Sequence, residues 1–293
     1  MSAVRHRTPG ETKVFSPGAG VRDRAHAYAP MIRLVQISDT HLFADPDGRL
    51  LGQRTRRSCE AVLALLRATL LPVDAVLLTG DLVHDERPEG YLYLREALHT
   101  LGVTYYAIPG NHDLAARLAG HLDPAAAQPV RSVRIGDWHL VLLDSTLPGE
   151  DGGRLGTSRL AGLDLALAAC PESPALICLH HQPIPVGSQW MDAIGLEDGD
   201  AFFAVMDRHP QVRGVLWGHI HQAFDGCRAD VRLMGSPSTA VQFLPCSQDL
   251  ALDSAAPGLR WLELNPDGHL ETGIARLADY HYQDPIDLSQ TGY

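Results

Sequence analysis

The sequence predicts an α/β fold whose sheet is mixed rather than purely parallel, and three observations carry that reading. The short apolar runs Ile32 to Ser38, Asp74 to Thr79 and Val103 to Ile108 alternate with segments of helical period, the order that builds parallel βαβ units. A later pair of runs, Val130 to Ile135 and Trp138 to Asp144, flanks Gly136-Asp137, a two-residue hairpin signal that brings antiparallel strands into the sheet. Short polar clusters rich in Asp, Asn and His follow directly on several of the runs, where open α/β folds place their chemistry.

Taken in order, residues 1–30 hold Arg5, Arg7, Lys13, Arg22 and Arg24, several glycines and prolines, and no apolar core of the signal-peptide kind. They read as a disordered extension ahead of one domain over residues 31–293; a mitochondrial-like presequence, or a start site upstream of Met31, are the other readings. Ile32 to Ser38 is a strand ending in Asp39-Thr40-His41. Thr55 is expected to cap a helix in which Cys59, Val62, Leu66 and Leu70 recur at helical spacing until Pro72. The strand Asp74 to Thr79 then delivers Gly80-Asp81, and Pro88 suits the first turn of a helix to about Thr100, stopped by Gly102. Val103 to Ile108 leads into Pro109-Gly110-Asn111-His112-Asp113.

Past the hairpin, Thr157 or Ser158 is expected to cap a helix to Ala169, and Ala175 to Leu179 ends in His180-His181. Ile184 to Asp198, with Trp190 and Met191, reads as a lid or substrate wall, or equally as ordinary loop packing. A helix near Asp200 to Arg208 precedes the strand Arg213 to Trp217, which ends in Gly218-His219-Ile220-His221. Alternate residues of a strand face opposite ways, so for both histidines to serve one centre the chain must turn just after Gly218, and the glycine is expected to permit it. Four further antiparallel strands, Ala223 to Arg228, Val231 to Met234, Leu259 to Leu264 and His269 to Ala275, close the chain, the last two joined by the turn Asn265-Pro266-Asp267-Gly268.

Composition narrows the function. A formal net charge of −11 disfavours non-specific nucleic-acid binding, which relies on Lys and Arg. The five cysteines form no C-x-x-C pair, so neither a disulfide framework nor a zinc knuckle is expected. The longest apolar candidate, Ala61 to Leu78, contains Arg67, Pro72 and Asp74 and falls short of a membrane span, so a soluble cytoplasmic protein is expected. Oligomeric state is left open.

Five strand ends together offer Asp39, His41, Asp81, Asn111, His180, His219 and His221. Oxygen and imidazole donors without thiolate suit manganese, iron or zinc, and seven residues exceed the needs of one ion. Two ions sharing a bridging carboxylate fit that number.

The ordered set D-x-H, G-D, G-N-H-D, H-H, G-H-x-H over residues 32 to about 221 resembles the calcineurin-like metallophosphoesterase superfamily. That resemblance implies a sandwich of two mixed β-sheets flanked by helices. It also implies Asp39, His41, Asp81 and His221 around one metal and Asp81, Asn111, His180 and His219 around the other, with Asp81 bridging. His181 is implied as a supporting or substrate contact, and Asn111 and His112 as residues that meet the substrate. A narrower likeness, to the bacterial class III 3′,5′-cyclic AMP phosphodiesterases, runs through Ile37 to Phe43, Leu51-Gly52, Gly218 to Gln222, Pro237 to Phe243, Leu252 to Leu264 and Gly292-Tyr293. It implies hydrolysis of cyclic AMP to 5′-AMP by in-line attack of a hydroxide held between two metal ions, with His112 assisting departure of the 3′-oxygen. Iron and manganese are the implied pair, with zinc as the substitute.

One departure stands out. Protein phosphatases of the superfamily read G-D-x-x-D-R-G after the second strand, whereas this chain reads Gly80-Asp81-Leu82-Val83-His84-Asp85-Glu86, so a phosphoprotein substrate is disfavoured and the partner of His112 is unassigned. The competing readings are another phosphoesterase acting on glycerophosphodiesters or nucleotides, and a non-catalytic scaffold of the same fold, which would lack ligands that are all present here.

Overall fold

Two stacked sheets and two helical layers form the computed structural model, which describes residues 5–6, 30–282 and 285–287. The first sheet runs Leu270–Arg276, Gly258–Leu264, Ile32–Ile37, Ala75–Thr79, Tyr105–Ile108, with the last three parallel and the first two antiparallel. The second runs Arg5–His6, Phe224–Arg228, Val231–Gly235, Val212–Trp217, Ala175–Cys178, Trp138–Leu143, Val130–Ile135, with a parallel centre and antiparallel flanks. Both sheets are mixed, as the sequence implied.

Strand periodicity explains the layering. Ile32, Leu34, Ala75 and Leu77 face Leu140, Leu142, Leu176 and Leu216 of the other sheet in the central core. The alternate residues Val35, Ile37, Val76 and Leu78 pack outward on Val62, Leu66, Leu94 and Leu98 of the helices Thr55–Thr69 and Pro88–Leu101. Val141, Leu143, Ala175 and Ile177 do the same against the helices Gly156–Ala168 and Gly199–Met206. Apolar runs with no polar alternation are what strands covered on both faces require.

Several local expectations hold. Pro88 opens its helix and Gly102, at φ 67°, ends it. Gly136 takes φ 53° in the hairpin, and the Gly268 amide donates to the Asn265 carbonyl at 3.0 Å. Helix starts differ from expectation. Thr55 is the first helical residue rather than the cap, preceded by Arg54 in extended conformation. Neither Thr157 nor Ser158 caps the later helix; the Leu155 and Gly156 amides donate to the Asp198 carboxylate at 3.0 and 2.7 Å, a cap supplied from more than forty residues away. Ile184 to Asp198 resolves as packing: it holds the short helix Gln189–Asp192, Met191 is buried, and Trp190 meets Phe243 edge-on at 5.0 Å. Of the expected extension only Arg5, His6 and Pro30 are described, Arg5–His6 pairing with Gly226 and Cys227; the rest lies outside the described residues. Among the described residues no helix is long and apolar enough to cross a membrane, and all five cysteines are free.

Candidate metal centre

The parallel strands Ile32–Ile37, Ala75–Thr79 and Tyr105–Ile108 of one sheet, and Ala175–Cys178 and Val212–Trp217 of the other, all end at one place. Their C-terminal turns carry the seven residues singled out in the sequence, and the site therefore straddles both sheets. Asp39, His41, His180, His219, His221 and Asp81 are wholly buried, and Asn111 and His112 line its open side, half-buried.

The backbone is bent to achieve this. Asp39, His41, Asp81, His219 and His221 all hold φ between 41° and 65°, a region costly for any residue with a Cβ and sparsely used outside functional turns. The turn after the last strand is thus made by the histidines themselves, not by Gly218 as expected. Gly218 answers a different need: a Cβ there would overlap Ser38 Oγ and sit 2.8 Å from the Thr79 carbonyl oxygen and 2.9 Å from Asp39 Oδ2. Only glycine allows the two sheets to close this tightly over the site.

Among the described residues, four overlapping trios of candidate ligand atoms converge here, two of them imidazole-only, His41-His84-His112 and His180-His181-His219, and two that include carboxylates and share Asp39. Asp39, His41 and His221 converge on one point, with His41 Nε2 3.1 Å from His221 Nε2 and Asp39 Oδ1 3.6 Å from His221 Nε2. Asp39, Asp81 and His180 converge on another, where Asn111 Oδ1 lies 3.1 Å from His180 Nε2. Asp81 Oδ2 stands between them, 3.8 Å from His41 Nε2 and 3.4 Å from His180 Nε2. This is the arrangement a bridging carboxylate needs.

Backbone carbonyls set the tautomers. His180 Nδ1–H donates to the Thr79 carbonyl at 2.8 Å and His221 Nδ1–H to the Val241 carbonyl at 2.9 Å, which aims each Nε2 into the site. In the metal-free protein His180 Nε2 carries a proton toward Asn111 Oδ1, one that a bound cation would displace. Asp39 Oδ2, Asp81 Oδ2 and both ring nitrogens of His219 are buried without a hydrogen-bond partner. Orphaned acceptors in such number are costly unless a cation gathers them, and the residues fit a binuclear metal centre.

Charge in the cluster is shared unevenly. Burial alone would neutralise Asp81, but His180 and His112 outweigh it and hold the carboxyl well below the usual range. Burial lowers His180, yet the Asp81 and Asp39 carboxylates overcome it and lift the imidazole to about 9. Burial pushes Asp39 up to about 7, with His180 opposing and Asp81 adding to the rise. Burial keeps His219 and His221 neutral, as metal ligands must be.

Other residues support the ligands. Asp113 ties the second and third turns together, accepting from the Gly110, Leu82 and Val83 amides at 3.0 to 3.2 Å and from the Tyr91 hydroxyl at 2.8 Å. His84 stacks on His112 at 4.6 Å and places Nδ1 3.1 Å from His41 Nδ1, so an imidazole occupies the position of the phosphatase aspartate. The His112 amide donates to Asp81 Oδ1 at 2.9 Å, which holds His112 beside the centre. His181 is engaged through both ring nitrogens: Ser145 Oγ lies 2.8 Å from its Nδ1, and its Nε2–H donates to the Asp151 carbonyl at 3.1 Å. Pro237 to Phe243 lies behind the ligands, with Ser238 Oγ donating to the Asp39 carbonyl at 2.6 Å and Phe243 stacked on His221 at 4.2 Å. The Thr79 and Val241 carbonyls carried no sequence signal, since any residue type can offer one, and Ser145 reaches His181 through its hydroxyl from a strand end with no motif around it.

Comparison with known proteins bears on this geometry. The family profile described as calcineurin-like phosphoesterase matches residues 32–223. The 3′,5′-cyclic adenosine monophosphate phosphodiesterase CpdA of Pseudomonas aeruginosa is 41% identical over 262 residues, covering 89% of this chain and 95% of that protein. A 3′,5′-cyclic-nucleotide phosphodiesterase of Nostoc sp. is 39% identical over 260 residues, covering 89% and 97%. Among solved structures, a dimetal phosphatase from Danio rerio superposes with a TM-score of 0.59 at 15% identity, over 84% of this chain and 99% of that one, a likeness of fold.

Proposed function

This chain belongs to the calcineurin-like phosphoesterase family, and on that premise we propose that it is a binuclear-metal phosphodiesterase that hydrolyses 3′,5′-cyclic AMP to 5′-AMP. The convergence of acceptor pairs on two points, with the Asp81 carboxylate between them, carries the reading. Relatives named as cyclic-nucleotide phosphodiesterases across nearly the whole chain support the substrate. We assign Asp39, His41, Asp81 and His221 to one ion and Asp81, Asn111, His180 and His219 to the other. Iron or manganese suits these nitrogen and oxygen donors, with zinc as the substitute. Such ions supply Lewis-acid polarisation of the phosphoryl group and activation of water near neutral pH.

The chain's own residues do the rest. The buried carboxylates and imidazoles would hold the ions and keep bulk water away from them, while Asn111 and His112 on the open side orient the reacting phosphate. His112, fixed through its amide to Asp81 and through its ring to His84, faces the open side. As water adds to phosphorus and the P–O3′ bond breaks, His112 gives its proton to the departing 3′-oxygen. The catalytic domain spans residues 31–293, a family match beginning at residue 32 supports that start, and Arg5–His6 of the preceding segment adds an edge strand to the second sheet. Five free thiols accord with a reducing, cytoplasmic setting.

Turnover of a phosphodiester panel by metal-reconstituted enzyme tests the reading. Cyclic AMP should be cleaved to 5′-AMP; cleavage of glycerophosphodiesters with none of cyclic nucleotides under any metal condition would overturn it.

A further inference from the structure

A cavity of about 400 Å³ opens beside Asn111 and His112, within the range of small-molecule sites. Leu114 and Leu147 give it apolar surface. Among the described residues that line it, Glu86, Asp113, Asp144, Glu150 and Asp151 are carboxylates and only Arg159 is a permanent cation. A second phosphate would be repelled there, whereas an uncharged organic group would not. The single anion of a diester belongs at the histidine end.

The far wall is built to make a polar contact. Asp144 Oδ1 accepts from the Thr146 amide at 2.8 Å and the Thr146 hydroxyl at 2.7 Å, which fixes the carboxylate. Arg159 donates through NH1 to the Thr146 and Arg154 carbonyls at 3.1 and 2.8 Å, which fixes the guanidinium. Between them, Arg159 NH2 and Asp144 Oδ2 stand 3.5 Å apart, too long for a good charge-assisted bond. One acceptor and one donor therefore sit side by side, anchored from behind and loosely engaged with each other. The wall is held to the metal-ligand turns as well, because Ser145 and the Asp151 carbonyl both bond His181. Adenine presents the complementary pair, an amino donor next to a ring-nitrogen acceptor.

Resting on the phosphodiesterase reading, we infer that this cavity takes the uncharged nucleoside of the substrate, and that Asp144 and Arg159 are specificity-determining residues that hydrogen-bond one edge of its base. Specificity by buried hydrogen bonding is strong because the wrong ligand leaves both wall groups unmet.

The test compares cyclic AMP with methyl p-nitrophenyl phosphate, a diester that has no nucleoside, on wild type, Arg159→Ala and Asp144→Asn, with melting temperatures recorded. Each substitution should raise KM for cyclic AMP about 10- to 100-fold, the worth of a hydrogen bond to a charged group, with kcat within a few-fold. The ratio of kcat/KM for cyclic AMP to that for the small diester should fall by the same factor, and Arg159→Lys should recover part of it. Equal losses on both substrates with a lowered melting temperature would make the pair a loop brace and overturn the inference, as would no change on either. Failure of wild type to cleave cyclic AMP while cleaving the small diester would instead bring down the functional reading, and the inference with it.

Discussion

Two buried polar clusters lie in this molecule and differ in how their groups are satisfied. Around Arg260, a residue of the first sheet that is 1% exposed, the guanidinium reaches into the second sheet and donates to the Phe224 and Gly235 carbonyls, each at 2.8 Å, and to Thr272 Oγ1 at 3.1 Å. Asp225 beside it is held by Arg232 at 2.7 and 3.0 Å. Around Asp81, in contrast, carboxylate oxygens and imidazole nitrogens are buried facing one another with hydrogen bonds left unmade. Both places bury charged and polar side chains, so polarity in the core does not by itself mark a site. The mark is a set of acceptors without donors on a backbone bent into left-handed turns.

The sharpest way to break this contrast is Asp81→Asn. The amide keeps the acceptor for His112 N but loses the charge between the two groups, so the variant should hold fewer than two metal ions per chain and lose activity by about 10³-fold or more, the several kcal/mol that metal polarisation supplies. In metal-free protein the same change should lower stability by about 1–3 kcal/mol, because it takes the charge partner away from the buried His180 imidazole. Added metal should raise the melting temperature of wild type and leave that of the variant where it was. Elemental analysis showing two ions in Asp81→Asn, or full turnover, would end the bridging assignment.

His112→Ala comes next, since it removes a neighbour of the centre and not a ligand. It should keep both metals while turnover of cyclic AMP falls about 10²- to 10⁴-fold, with a smaller loss on a diester whose leaving group needs no proton. Metal loss in this variant would place His112 among the ligands instead.

Arg260→Met probes the better satisfied cluster, in which the guanidinium leaves only its Nε without a partner. It removes the donor from two buried carbonyls, and should lower unfolding stability by about 2–4 kcal/mol in denaturant titration with metal content unchanged. Stability equal to wild type would mean that the cluster's satisfaction is not what holds the sheets together there.

Much of the Asp81 cluster was legible from the chain and little of the Arg260 cluster. Strand runs such as Ala75–Thr79 and Ala175–Cys178 are largely apolar because both faces are covered, and the Asp and His residues follow directly on them, so order and spacing singled out the residues that the fold brings together. How the turn is made was misread: Gly218 suggested a flexible backbone, but glycine there answers a close approach by Ser38, and the strained φ falls on histidines, which sequence patterns do not flag. His181 was read as a supporting or substrate contact because it follows His180, and only the fold shows Ser145 and Asp151 on its two nitrogens. Arg260 gave no signal, because its acceptors are backbone carbonyls on strands that are distant in sequence.

Helix capping makes the same point at the smallest scale. Thr157 and Ser158 are good capping residues by type and sit at the right place in the chain, yet the amides of Leu155 and Gly156 are taken by Asp198. A carboxylate is the stronger choice at a helix N-terminus, since it accepts two amides at once and its charge opposes the helix dipole. Asp198 also precedes the helix Gly199–Met206, so one side chain fixes the relative position of two helices that cover the second sheet. Asp198→Ala should therefore cost about 1–2 kcal/mol of stability, the upper part of the range for a lost cap, and leave turnover and metal content as in wild type. Thr157→Ala and Ser158→Ala should each cost less than about 0.5 kcal/mol, as surface changes away from such features do. A larger loss from either than from Asp198→Ala would show that the local residue, and not the distant carboxylate, starts the helix.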